Sequence, residues 1–191
     1  MDAFWYSTLG VFIAEMGDKT QLLTLFLAAR FASQKNAIIL GIFVATLLNH
    51  AVSAFFGVWL TENVSPEVMK WIVGVSFLLV GLWLLIPDKD DDNSQSKWLK
   101  HGAFAAATVL FFLAEIGDKT QIATILLAAK YHSLSAVIGG SIAGLMLANV
   151  PLVYLGEKMM QKIPAITMRV IACAIFYILG FTTLLGSGIR L

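Results

Sequence analysis

The sequence predicts an all-α integral membrane protein of six transmembrane helices, arranged as two inverted-topology three-helix repeats. Three observations predict it. The 191 residues are 59% hydrophobic and only 13% charged, with a mean hydropathy of +0.83, whereas a soluble domain carries about a quarter charged residues. The apolar residues fall into six runs of membrane-spanning length. The second half repeats the first at an offset of 100 residues.

A membrane helix needs roughly 20 mostly apolar residues. The six runs cover about 4–29, 37–60, 68–86, 103–129, 134–156 and 166–185. The opening Met1-Asp2-Ala3-Phe4-Trp5 lacks the positive n-region of a secretory signal peptide, so the first run is expected to stay as a membrane helix. The polar stretch 87–97, with four aspartates between Asp88 and Asp92, reads as a solvated linker. It divides the chain into a first repeat at 1–87, an acidic cytoplasmic linker at 88–100 and a second repeat at 101–191.

The repeat is carried by residues of chemical interest. Ala14-Glu15-Met16-Gly17-Asp18-Lys19-Thr20-Gln21 falls on Ala114-Glu115-Ile116-Gly117-Asp118-Lys119-Thr120-Gln121, and Thr24 falls on Thr124. Asn49 falls on Asn149. Each half holds three spans, an odd number, so the second half is expected to enter the membrane from the opposite side, as in many secondary transporters.

Lysine and arginine set the expected orientation. Arg30, Lys35, Lys89, Lys97, Lys100, Lys158, Lys162 and Arg169 share one side; only Lys70, Lys130 and Arg190 share the other. The positive-inside rule puts the first group in the cytoplasm and both termini on the outer face. Trp5, Trp59, Trp71 and Trp98 lie near span ends, where an interfacial belt places them. A net charge of +1 and the lack of a basic stripe exclude a nucleic-acid partner. The single cysteine, Cys173, lies in an apolar run and reads as a small buried hydrophobe.

Glu15, Asp18 and Lys19 lie well inside the first run, and Glu115, Asp118 and Lys119 inside the fourth. Ionisable groups within a bilayer each cost at least a few kcal/mol and by default mark a function. Spacings of three and four residues put Glu15, Asp18 and Lys19 on one helical face, and their counterparts likewise. Two facing repeats then bring four carboxylates together, and the two lysines leave a net charge of −2, which one divalent cation neutralises. Oxygen donors suit Ca²⁺, Mg²⁺ and Mn²⁺; neither motif contains His or Cys, which disfavours zinc and copper. Burial and like charge both penalise ionised carboxylates, so protons compete with the metal. The expected metal ligands are therefore Glu15, Asp18, Glu115 and Asp118. Asn49, Asn149, Gln21, Gln121, Thr20 and Thr120 are candidate neutral ligands or supporting partners, and Lys19 and Lys119 balance charge.

Gly17 and Gly117, between the acids, are expected to let the helix unwind or another helix approach. Gly140, Gly144 and Ala148 form a ridge of small residues for close packing. Blander roles compete with these. Glu15–Lys19 and Glu115–Lys119 could be internal salt bridges. Thr24 and Thr124 are expected to bond only their own helix backbone. His50 falls on Val150, so no central role is expected for it.

The doubled E-x-G-D-K-T, at 15–20 and 115–120, resembles the signature of the manganese/calcium–proton antiporter family, which includes Golgi manganese transporters and bacterial manganese exporters of the MneA type. The resemblance covers both halves. It implies that Glu15, Asp18, Glu115 and Asp118 bind metal, and that Mn²⁺, or Ca²⁺, is exported in exchange for protons. The short linker and the lack of an N-terminal extension make the chain resemble a bacterial inner-membrane member. No bound cofactor is expected beyond the transported ion. Membrane lipid, the metal ion and protons are the expected partners, with self-association left open. A divalent-cation channel and a six-span exporter of a small organic cation are the rival readings. No nucleophile–base pair or His-rich motif argues for an enzyme.

Overall fold

The computed structural model describes residues 2–86, 95–156 and 165–185. The acidic stretch 88–92, Lys158, Lys162, Arg190 and the C-terminal residue lie outside them, as does the side chain of Arg169.

Every described element is helical: α1 (Asp2–Glu15), α2 (Lys19–Arg30), α3 (Lys35–Asn63), α4 (Pro66–Leu84), α5 (Gln95–Trp98), a 3₁₀ turn (Leu99–His101), α6 (Ala103–Glu115), α7 (Lys119–Tyr131), α8 (Leu134–Leu155) and α9 (Ala165–Leu185). Among the described residues α3, α4 and α8 are each long and apolar enough to cross a membrane alone. With 29 residues α3 is about 44 Å long, more than a hydrocarbon core of about 30 Å requires. Local chemistry agrees with the boundaries. Pro66 opens α4, where its missing N–H is harmless, and Glu67 complements the positive helix end.

The expected continuous spans at 4–29 and 103–129 are each two shorter helices. With 14 and 12 residues, α1 and α2 measure about 21 and 18 Å, so neither crosses alone. The pair α6 and α7 repeats this division.

Packing exchanges elements between the halves. α1 lies against α8, and α6 lies against α3; α2 touches α8, and α7 touches α3; α4 pairs with α9. The small-residue ridge packs closely, as expected, and the helix it meets is α1. A Cβ added to Gly140 would stand 2.4 Å from the Phe4 carbonyl oxygen, and one on Gly144 would stand 2.5 Å from that of Thr8. Real atoms cannot approach so closely, so backbone meets backbone along this seam. On α3, Gly41 meets Phe104 and Gly57 meets Ile125 in the same manner.

These contacts fix directions. Phe4 and Thr8 meet Gly140 and Gly144 in order, so α1 runs parallel to α8. The contacts of Gly41 and Gly57 make α3 parallel to α6 and α7. At the other ends Asn36 of α3 accepts a hydrogen bond from Tyr154 of α8, so these two run antiparallel. It follows that α1 and α6 run in opposite directions. Gly74 meets Leu184 and Gly81 meets Tyr177, which makes α4 and α9 antiparallel as well.

Large apolar side chains cover the outside, among them Leu40, Val52, Phe55, Leu79, Ile166 and Ile178. Trp5, Trp59, Trp71 and Trp98 are all exposed. The inside instead holds polar groups: Glu15, Asp18, Gln21, Asn49, His50, Glu115, Asp118, Lys119 and Asn149 are all buried. Such an inverted distribution suits a lipid solvent.

Candidate ion-translocation site

The site is built on the two helix breaks. Gly17 has φ +80° and Gly117 has φ +72°, a region that strains any residue with a Cβ. Each break stops one helix at a glutamate and starts the next with an aspartate at its N-cap. Gln21 Oε1 accepts from the Gly17 N–H at 2.8 Å, and Gln121 Oε1 accepts from the Gly117 N–H at 2.7 Å. The glutamines thus satisfy the unwound backbone, which would otherwise carry an unpaired donor.

The break also overturns the shared helical face expected of Glu15, Asp18 and Lys19. Glycine in the left-handed region turns the chain between the acids, so three- and four-residue spacings no longer stack. The Lys19 ammonium lies 3.2 Å from Asp118 Oδ1, across the halves. Lys119 donates to the Ile86 carbonyl at 2.6 Å and stands over the Trp83 ring.

The glutamates are held reciprocally. Asn149 Nδ2, from the second half, lies 3.5 Å from Glu15 Oε1, and Asn49 Nδ2, from the first, lies 3.3 Å from Glu115 Oε2. The Thr20 hydroxyl donates to Glu15 Oε1. The Thr120 hydroxyl instead donates to Asp118 Oδ2 at 3.1 Å, an oxygen that also accepts from the Thr120 N–H. Glu15 is fully buried and Glu115 is 1% exposed. One oxygen of each, Glu15 Oε2 and Glu115 Oε1, is buried with no hydrogen-bond partner.

Each glutamate also closes the C-terminal end of its helix, where the dipole is negative and attracts cations. Asp18, Glu115 and Asp118 all lie within Coulombic reach of Glu15. They are not drawn into one ligand shell: among the described residues no three His, Cys, Asp or Glu side chains are close enough together to hold a metal ion.

The family described as "Divalent cation/proton antiporter GDT1" matches residues 3–92 and 103–189, nearly the whole chain, in two segments either side of the linker. The chain belongs to this family. It is therefore a member of a transporter family rather than an enzyme class. A protein of Vibrio cholerae serotype O1 named "Putative manganese exporter" is 46% identical over 175 residues, covering 91% of this chain and 86% of that one. The GDT1-like protein 5 of Arabidopsis thaliana is 28% identical, covering 97% and 96%. The GDT1-like protein 3 of Oryza sativa subsp. indica is 25% identical, covering 95% of this chain and 72% of its own. No solved structure matches the chain.

In this GDT1-family chain the two half-sites are not copies. Thr24 Oγ1 and Thr124 Oγ1 both lie 2.9 Å from the carbonyl one turn back, as expected, but each also faces the other half. The Thr24 hydroxyl lies 2.6 Å from Asn149 Oδ1. Thr124 Oγ1 instead lies 2.7 Å from His50 Nδ1 and 3.1 Å from Ser141 Oγ. His50, for which no central role was expected, is 1% exposed, with Nε2 3.8 Å from Glu115 Oε2. Matching against Val150 concealed it. The available signal was its position: an ionisable side chain inside an apolar run, beside a candidate ligand, marks a site by itself.

Proposed function

We propose that this protein exports a divalent metal cation, Mn²⁺ in preference to Ca²⁺, from the cytoplasm in exchange for protons. The observation that carries this reading is the pair of buried glutamates, each at a helix break and each held by an asparagine of the opposite half. A hard cation accepts such carboxylate and amide oxygens. Protons returning to the same oxygens displace it. Family membership and the Vibrio cholerae relative's name support the ion and the exchange.

An inverted-topology repeat of 1–87 and 101–191, joined by the linker at 88–100, is the architecture that this reading takes. Opposed directions of α1 and α6 and the reciprocal packing favour it. In such a fold α1 with α2, and α6 with α7, each form one broken span beside α3, α4, α8 and α9, six spans in all. Broken spans at the midplane are the usual seat of ions in transporters of this design. Glu15, Asp18, Glu115 and Asp118 bind the metal in turn with protons. Gln21, Gln121, Thr20 and Thr120 hold the breaks and the acids, and Lys19 and Lys119 balance charge when the metal has left. The positive-inside rule places the linker in the cytoplasm of a bacterial plasma membrane, with both termini outside.

The test is metal flux into proteoliposomes, with Mn²⁺, Ca²⁺ and Mg²⁺ compared at two proton gradients. Saturable Mn²⁺ flux that follows the proton gradient is expected; unsaturated flux indifferent to it indicates a channel. Reporter fusions in the linker and at Leu191 should report inside and outside respectively, and a cytoplasmic C-terminus overturns the topology.

A further inference from the structure

The contacts of His50 bear on what its ring presents to Glu115. The single hydroxyl hydrogen of Thr124 has three acceptors within reach: the Thr120 carbonyl at 2.9 Å, Ser141 Oγ at 3.1 Å and His50 Nδ1 at 2.7 Å. When it goes to the carbonyl or to Ser141, Thr124 Oγ1 accepts from the ring nitrogen 2.7 Å away and His50 Nδ1 carries the proton. In this neutral tautomer Nε2 is a bare lone pair. It is buried without a hydrogen-bond partner and stands 3.8 Å from Glu115 Oε2. A lone pair facing a carboxylate oxygen repels it unless a proton or a cation lies between them.

A divalent ion fits that gap. Two ligands each about 2.2 Å from a shared ion and separated by roughly 120° stand about 3.8 Å apart. Metal-bound imidazoles characteristically donate their other ring N–H to a fixed acceptor, which orients the ring; Thr124 supplies that acceptor here. Asn49 Nδ2 lies 3.3 Å from the same carboxylate oxygen and also donates to the Phe112 carbonyl at 3.1 Å, which fixes the amide beside it. Glu115 Oε1 is a further buried oxygen without a hydrogen-bond partner.

We propose that His50 donates its Nε2 lone pair to the cation held by Glu115, and so makes the second half-site prefer a transition-metal ion over Ca²⁺ and Mg²⁺. The inference rests on the reading that the Glu115 region takes a divalent cation, and it adds the nitrogen donor that sets the choice of ion. Oxygen-only sites suit Ca²⁺ and Mg²⁺ as well as Mn²⁺, whereas an imidazole nitrogen favours the transition metal. In the first half-site Val150 occupies the corresponding position and offers no donor.

The experiment loads the purified full-length chain with Mn²⁺ in detergent and reads the electron-spin-echo modulation from coordinated nitrogen. The expected spectrum shows ¹⁴N modulation that changes to the ¹⁵N pattern when histidine is isotopically labelled. The chain has three histidines; His101→Gln and His132→Gln should retain the modulation, and His50→Gln should lose it. Competition of Mn²⁺ with Ca²⁺ should show the preference for Mn²⁺ falling by at least about tenfold in His50→Gln. Mn²⁺ bound to the wild type without nitrogen coupling, or an unchanged Mn²⁺/Ca²⁺ ratio in His50→Gln, overturns the proposal and leaves the cation-exporter reading standing. A wild-type protein that binds neither ion overturns both. If His50→Gln does not fold, the labelled wild-type spectrum and the two control variants decide the question.

Discussion

The Glu15 and Glu115 regions carry the same motif at the same kind of helix break, yet different atoms surround their carboxylates. Glu15 is met by the Thr20 hydroxyl and the Asn149 amide, and the hydroxyl of Thr24 is engaged by that same amide. Glu115 is met by the Asn49 amide and faces His50, while Thr120 has turned to Asp118 and Thr124 to the imidazole. The common part is what an ion needs anywhere in a bilayer: a buried acid, a helix end and a polar neighbour from another segment. The differing part includes histidine against valine at 50 and 150, serine against glycine at 141 and 41, and the hydroxyls and lysines that follow them. Duplication of a motif therefore preserves charge placement while leaving donor chemistry free to diverge.

The largest expected effect tests what the halves share. Glu15→Gln and Glu115→Gln should each abolish metal flux while the protein still inserts, because both halves serve one exchange; protein level in the membrane must be measured alongside. Asp18→Asn and Asp118→Asn should do the same, with Asp118→Asn also releasing the Lys19 ion pair. Flux surviving loss of either glutamate would mean that the half-sites act independently.

Binding against pH follows in size. Metal affinity should fall as pH is lowered, since the ion and protons occupy the same oxygens. The check is a Mn²⁺ titration in detergent at several pH values, and a flat profile breaks the exchange reading. Asn49→Ala and Asn149→Ala should each weaken Mn²⁺ binding by about 10- to 100-fold, because each frees a glutamate from its orienting amide. The two losses should differ in ion preference, with Asn149→Ala affecting Mn²⁺ and Ca²⁺ alike.

Packing effects are smaller. Gly144→Ala places a Cβ against the Thr8 backbone and should cost about 1–3 kcal/mol, read as a lowered thermal midpoint in detergent. Gly57→Ala, whose Cβ would lie 2.3 Å from the Ile125 carbonyl oxygen, is its counterpart on the opposite seam. Thr24→Val and Thr124→Val should each lose about 1 kcal/mol of stability. Only Thr124→Val should alter the Mn²⁺/Ca²⁺ ratio, since it alone releases the histidine.

The sequence made the apolar runs, the doubled motif, the paired asparagines and the Gly140–Gly144 ridge legible, because each is a pattern of residue type at fixed spacing. The edges of α3, α4 and α8 fall within a few residues of the expected runs for the same reason. Side-chain partnership inside the motif was not legible. A spacing of three or four residues predicts neighbours only while the helix continues, and glycine at φ +80° ends that rule between Glu15 and Lys19. Lys19 consequently meets Asp118, a partner 99 positions away in the chain. His50 was hidden by the repeat itself: a comparison that rewards matched pairs discounts positions where the halves differ.

The crossed holding of the glutamates bears on how such a chain could arise. A lone three-helix ancestor carrying one glutamate and one asparagine brings neither into contact with the other's partner. It gains that contact only by meeting a second copy of itself lying head to tail. Such a pairing of identical copies demands that one gene product insert both ways in equal number. Joining the two copies by a linker ends that demand, and it also releases each copy from having to fit itself. Fused copies can carry histidine at position 50 and valine at position 150, which two identical copies cannot.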